Sequence, residues 1–511
     1  MTVNSASFLS TKSPRTVGRT RRRPDSRHFR PALETLEGRT VLSAFEVWAM
    51  DQSNTRDENG NGSILDSGDS GGTVYIYRGA DLQGRHADRA PPEVIDLGGA
   101  ARDLSVAQTG TAPIRPHMMY FNATRSHAII SFVASGHVLF MDSATRTPLA
   151  VIDVGVQAHA AIPAPDDTYL IVANQNGKLL QRIWTDYATN TFTLDPVPLN
   201  LASGTAPSGA PRQDPVLRPD NAPICGIIDP TSSLTFVTLR GGGLFVVDSA
   251  APSLSIINEY DRATIHHDGC GGVVAGSKLY VNSGGPGEAD LYSFNLADFD
   301  TLPDPPNTPA PALVFSQDGN PNLVQVDSHG ATLTKHGRYL WVADRWANKI
   351  VVVDTRTDQV VNEIELAGTL SSDPAPDLMA TSPDGNRVFV ALRGPRPLSA
   401  NNPAFNNAVG STPGVGVIQV THGGRDGKLI AIAPVSHVVA GLERADIHGI
   451  GLRTIQNHKH APPAHKKSSG SALLMRHNAA RQDLSATIPS HTLPASIVDL
   501  LLTPKRGQRR T

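Results

Sequence analysis

A unit of about 40 residues recurs along the middle of the chain, and this recurrence constrains the fold more than any other feature. From Ser328 to Leu366 the unit reads SHGATLTKHGRYLWVADRWANKIVVVDTRTDQVVNEIEL. Another copy opens at Pro376 with PDLMATSPDGNRVFVALRG, and a third runs from Pro116 to Gly155 as PHMMYFNATRSHAIISFVASGHVLFMDSATRTPLAVIDVG. Each copy sets short apolar runs between Asp, Asn, Gly and Pro turns, which predicts strands joined tightly. Four such strands form one antiparallel blade, and blades set in a ring make a β-propeller. The 45 glycines, 39 prolines and 5% aromatic content fit many strands and turns rather than a helical bundle.

Seven copies can be counted. Six start near His117, His159, Cys225, His267, His329 and Asp377. The seventh is split: FEVWAMDQ, GTVYIYRG and PEVIDLGG near the beginning supply its outer strands, and DIHGIGLRTI, from Asp446 to Ile455, supplies the inner one. A blade shared between the two ends of the core closes the ring and removes the open sheet edge. The predicted fold is therefore all-β, a seven-bladed propeller over residues 45–455.

Two of the copies carry a recognisable pattern. LMATSPDGNRVFVALRG has SPDG followed by an apolar strand ending in Val-Ala, and RYLWVADRWANKIVVVDTRTDQVV has Val-x-Asp-x-x-Thr. In these features the chain resembles the YVTN or YncE-like seven-bladed propeller repeats. The copies at His329 and Asp377 follow the pattern best, those at His159 and Cys225 loosely, and the Trp-Asp blade ends of WD40 repeats are absent. The resemblance implies an architecture that hosts scaffolds, hydrolases, dehydrogenase subunits and metal enzymes, so function has to come from the site.

The two ends differ from the body. Residues 1–44 carry a net charge of +6 and residues 457–511 a net charge of +7, which leaves −15 on the segment between them. An acidic body speaks against sequence-specific nucleic-acid recognition, while the basic ends suit anionic surfaces. Both ends, 1–44 and 456–511, are expected to be disordered. Within the first, Leu36, Glu37, Arg39, Leu42, Ser43 and Ala44 resemble the LEPR-XLL motif, with Gly38 where proline is usual; the resemblance implies export to the periplasm, cell surface or exterior. No apolar run has the roughly 18 residues of a transmembrane helix. His458, His460 and His465 form a His-rich patch in the tail.

Inner strands of a propeller line its channel, so residues at equivalent blade starts should meet at the axis. These are His117, His159, Cys225, His267 with His266 and Asp268, His329, Asp377 and His448. His117 to His159 and Cys225 to His267 both span 42 residues, one blade each. Imidazoles and a thiolate converging in this way would suit copper or zinc. A disulfide between Cys225 and Cys270 competes for part of the set. Hydrogen bonding to the neighbouring blade is the plainer role for all of them.

A second candidate is the turn DENGNGSILDSGD. Asp57, Asn59, Asn61, Gly62 and Ile64 follow the order of a calcium loop, and Asp66 or Asp69 would replace the missing bidentate Glu. Nucleotide-binding and nucleophile-elbow motifs are absent. The sequence thus predicts an exported or surface-associated propeller that binds a protein or small-molecule partner at one face. A copper or zinc oxidoreductase working in the channel is the alternative, and a lactonase-like hydrolase ranks third.

Overall fold

The structure, a computed structural model, describes residues 44–64, 68–285, 287–303, 307–318, 320, 325–398 and 408–455. Within them lie seven antiparallel sheets in a ring, one per repeat. Blade 1 begins with the inner strand Pro116–Phe121, blade 2 with Ala158–Pro163, blade 3 with Pro223–Ile228 and blade 4 with Gly272–Ala275. Blades 5 and 6 begin with Ser328–Leu333 and Pro376–Thr381. Each continues outward through three further strands in sequence order, and blade 2 adds the short strand Leu199–Asn200.

Blade 7 closes the ring as expected. Its inner strand Ile447–Ile455 pairs with Ala44–Asp51, which pairs with Thr73–Arg78 and then Glu93–Asp96. Both ends of the core therefore meet in one sheet, so neither inner edge is left open.

Stacking of blades explains why the second and third strands lack strict polar alternation. Leu340, Trp341 and Val342 of blade 5 are all buried, because both faces of the sheet are covered. Val342 and Leu340 pack towards Tyr280 and Leu291 of blade 4, while Trp341 and Ala343 pack towards Val388 and Val390 of blade 6. Comparable apolar clusters fill the other five blade interfaces, including that of blade 7 with blade 1, where Trp48 and Met50 meet Met119 and Phe121. The core is thus a ring of seven layers, with a smaller apolar cluster of Met118, Ala160, Ile224, Cys225 and Cys270 near the axis.

Two α-helices occur among the described residues, Gly79–Gln83 and Ala100–Thr109, and neither is long and apolar enough to cross a membrane. The LEPR-XLL-like segment, apart from Ala44, and the histidine patch of the tail lie outside the described residues.

Candidate functional site in the central channel

Six of the seven inner strands slip register against their neighbour at the same place. The slips fall between Pro116 and Met119, Ala158 and Ala160, Pro223 and Gly226, Ser328 and Ala331, and Pro376 and Met379; in blade 7 the slip bypasses His448. An extra residue in one strand re-aims its side chain and strengthens the local twist. The residues inside these slips include His117, His159, Cys225, His329, Asp377 and His448, all buried.

Blade 4 departs from the pattern. Its inner strand starts at Gly272, five residues past His267, and the channel is lined there by Asp268 and Cys270. The glycines of DGCGG account for the shift: a Cβ on Gly271 would collide with the His329 carbonyl, and one on Gly269 with that of Asn282. His266 and His267 pair instead with acidic residues of their own blade, as described below. In blade 3 the second strand position is Ile224, and Cys225 follows it.

A second ring was not anticipated from the sequence. The first residue after the second strand of each blade in turn is Val133, Gln175, Arg240, Gly284, Arg345, Arg393 and, in blade 7, Gln52. The arginines recur in VTLRG, VADRW and VALRG, a repeat signal that could have revealed them.

The two rings are joined by a continuous chain of polar contacts. Arg393, fully buried, donates from Nε and one terminal nitrogen to Asp446 at 2.6 and 2.8 Å, and from the other to Asp377 at 2.6 Å. Gln52 Nε2 donates to Asp446 at 3.3 Å, which turns Gln52 Oε1 to accept from His117 Nδ1 at 2.6 Å. With its proton on Nδ1, His117 presents a lone pair at Nε2, and His159 Nε2 donates to it across 3.1 Å. His448 stacks on His117 with ring centroids 4.2 Å apart and donates from Nδ1 to Asp377 at 2.8 Å. His329 pairs with the other Asp377 oxygen. Arg345 donates to Asp327 at 2.7 Å.

Burial divides these histidines into two kinds. Desolvation holds His159 and His448 down at about 4. It also holds His117 well below the usual range, aided by the Arg393 charge. These three imidazoles are neutral at pH 7. For His329, burial and Arg345 act in the same downward direction, but the Asp377 carboxylate outweighs them and carries the group up to about 9. Asp377 would itself be raised by burial, yet His329, His448 and Arg393 keep it well below the usual carboxylate range. His329, Arg345 and Arg393 are thereby balanced by Asp327, Asp377 and Asp446.

Residues of both rings, His117, His159, His329 and His448 of the first and Gln175 and Arg345 of the second, line a small chamber of about 30 Å³, together with Asp268 and Cys270. Three buried acceptors, His159 Nδ1, His448 Nε2 and Asp268 Oδ1, have no hydrogen-bond partner among the described residues. His329, Asp377 and His448 also bring ligand atoms within 4.8 Å of one another. Asp377, however, already faces Arg393 and a charged His329, which opposes a further cation on that carboxylate.

Above the chamber the channel opens into a mouth of about 450 Å³. Its lining includes Arg115, Arg240, Gln157, Gln175 and Asn176, with His117 and His159 shared with the chamber. Among the described residues no carboxylate lines it. Arg240 is held by Asp220 at 2.6 Å and donates to Asn176 at 3.2 Å. Arg115 stands at φ 57°, in the left-handed region, as do thirteen other non-glycine residues among those described.

A separate, more apolar depression of about 380 Å³ is lined by Tyr120, Ile162, Ile227 and Val273, with Cys225 and Cys270 at its base. The two cysteines are thiols with Sγ atoms 3.0 Å apart. Their mutual hydrogen bond and burial push the Cys270 thiol well above its ordinary range.

His266 Nδ1 lies 2.6 Å from Asp290 and 3.2 Å from Glu288, and His267 contacts Asp268 at 3.1 Å and Glu288 at 3.3 Å. Burial would lower His267, but Asp268 and Glu288 lift it to about 10. In the turn after the first blade-7 strand, Asp57 accepts the backbone N–H groups of Asn61 and Gly62 at 3.2 and 2.7 Å, Asn59 accepts that of Asn61 at 3.0 Å, and Asn61 that of Ser63 at 2.7 Å. These oxygens close the turn on itself. Asp69 is buried, and Asp66 lies outside the described residues.

No family model matches the chain, and no curated protein matches it. Similar solved structures include a protein from Lactobacillus plantarum, 12% identical, with 80% of this chain and 99% of that one covered at a TM-score of 0.49. The periplasmic gluconolactonase PpgL of Pseudomonas aeruginosa is 15% identical, with 81% and 100% covered at a TM-score of 0.48. Hydrazine synthase of Kuenenia stuttgartiensis is 16% identical, with 54% and 74% covered at 0.40. Likeness at these identities says nothing of activity.

Proposed function

We propose that the protein binds a small, oxygen-rich anion, bearing a carboxylate or phosphate, in the channel mouth at one face of the propeller. The observation that carries this reading is the composition of the mouth: two guanidinium groups, three amides and two neutral imidazoles, with no carboxylate among the described lining residues, in a body whose net charge is −15. Guanidinium forks match carboxylate and phosphate geometry. Amides and imidazole nitrogens suit hydroxyl groups, and 450 Å³ is the size of a small-molecule site.

The test is calorimetric titration of the full chain with glucuronate, glucose 6-phosphate and glucose, which share a ring and differ in charge. Saturable binding of an anion, weakened about tenfold or more in Arg115→Gln and Arg240→Gln, is expected. Equal binding of glucose and the anions, or anion binding untouched by both substitutions, contradicts the reading.

A second reading has copper or zinc in the chamber, favoured by the three acceptors without a partner among the described residues and by the fixing of His448 through its Nδ1 atom, as metal-bound imidazoles are fixed. Metal analysis of the full chain after dialysis against a weak chelator tests it: one equivalent lost in a His159→Gln, His448→Gln double variant supports it, and none in either protein ends it. We also read the chain as exported, on the LEPR-XLL-like residues Leu36 to Ala44 alone. Fractionation of producing cells with and without residues 1–44 tests that.

A further inference from the structure

We infer a divalent-cation site on the rim of blade 4, formed by His266, Glu288, Asp290 and Asp318. It is separate from the channel and draws on residues that the anion-binding reading does not use. His266 precedes the inner strand of the blade, Glu288 and Asp290 enter its third strand Asp290–Asn295, and Asp318 follows its outer strand Ala312–Ser316. Asp290 and Ser316 are register partners, so the pairing of these two strands brings Asp318 back beside Asp290.

One ligand atom from each residue lies within 4.8 Å of all the others. Ligands set about 2.1 Å from a shared ion stand roughly 3 to 4 Å apart, so side-chain rotation suffices to close the set. Independent support comes from Asp290. Its side chain is fully buried, Oδ2 takes His266 Nδ1 at 2.6 Å and Tyr292 OH at 3.2 Å, and among the described residues no donor reaches the buried Oδ1. A buried carboxylate oxygen without a donor is costly, and further carboxylates beside it make it more so. A cation among the three carboxylates removes both costs.

The donor set is one imidazole nitrogen with carboxylate oxygens. It suits a first-row divalent ion, the hard Mn²⁺ or the borderline Zn²⁺, better than Ca²⁺, which takes an all-oxygen shell, or a soft monovalent ion, which prefers sulfur. On binding, the ion takes the place of the proton on His266 Nδ1, and the neutral ring carries its proton on Nε2 instead. Glu288 would keep its second contact, from Oε1 to His267 Nε2 at 3.3 Å, and so stay oriented.

Mn²⁺ is the probe of choice, because imidazole-rich groups such as the channel and the tail histidines hold it weakly. Bound Mn²⁺ is counted by electron paramagnetic resonance in the full chain and in Asp318→Asn and His266→Gln, two residues exposed enough to change without unfolding the blade, as circular dichroism verifies. The wild-type chain is expected to hold one more Mn²⁺ than either variant, and Zn²⁺ is expected to displace that ion at a lower concentration than Ca²⁺. Equal Mn²⁺ occupancy in wild type and both variants overturns the site. Displacement by Ca²⁺ ahead of Zn²⁺ overturns the assignment of ion class.

Discussion

His117 and His159, on adjacent blades, meet in the channel with their Nε2 atoms 3.1 Å apart, and the direction of that hydrogen bond is set from blades 7 and 6, on the other side of His117. Arg393 anchors Asp446, Asp446 orients the Gln52 amide, and the Gln52 carbonyl places the His117 proton on Nδ1. The floor of the mouth thus has a fixed pattern of donors and lone pairs before any ligand arrives, which lowers the cost of binding.

Gln52→Leu tests this chain of orientation. The substitution leaves a buried imidazole N–H without an acceptor, at a cost of about 1 to 3 kcal/mol in stability. Urea denaturation should show that loss, while the same substitution in a His117→Phe background, which has no imidazole N–H to strand, should lose less. Equal losses in the two backgrounds would place the role of Gln52 in packing alone.

Stability should fall as the pH rises from 7 to 10. His329 is lifted to about 9 and His267 to about 10 in the fold, against about 6.5 in an unfolded chain. Above the unfolded value the native state binds more protons than the unfolded one, so each rise in pH favours unfolding until the folded value is passed. Their contribution is complete below pH 6.5. Melting temperatures across this range should decline, and His329→Gln should flatten part of the decline, its curve approaching wild type at the alkaline end. A wild-type curve that is level to pH 10 would remove the charged His329–Asp377 pair from the account.

Cys225 and Cys270 should form a disulfide under a mild thiol oxidant. Their Sγ atoms already lie 3.0 Å apart, and the bond would close a loop of 45 residues between blades 3 and 4. Such a closure is worth about 4 kcal/mol in the chain-entropy picture. Mass spectrometry should find the loss of two hydrogens in the peptide pair, together with a raised melting temperature. Persistence of both thiols after oxidation of the folded protein would contradict the close approach.

The blade count and the closing blade were legible because strands and turns are local signals that repetition multiplies. The same register pointed to His117, His159, His329, Asp377 and His448, which do meet at the axis. The slips that aim them inward were not legible, since a slip depends on pairing with the next strand. His267 misled for a related reason: the glycines of DGCGG let the backbone pass close to blade 5 and delay the inner strand by several residues. Arg240, Arg345 and Arg393 were visible as a recurrent Arg after the second strand and carried no weight without knowledge that this position faces the channel. Asp318, far from His266 in sequence, is brought to it only by the outer-strand pairing of blade 4.

In the proposed complex the anion meets Arg115 and Arg240, with its hydroxyl groups towards His117 and His159. Nitrogen-15 resonance of histidine-labelled full chain during titration with glucuronate tests it most directly. The account predicts saturable shifts at the Nε2 atoms of both residues, assigned through His117→Gln and His159→Gln, that disappear in Arg115→Gln. Saturable binding with both imidazoles unmoved, or no saturable binding of glucuronate or glucose 6-phosphate, would contradict it.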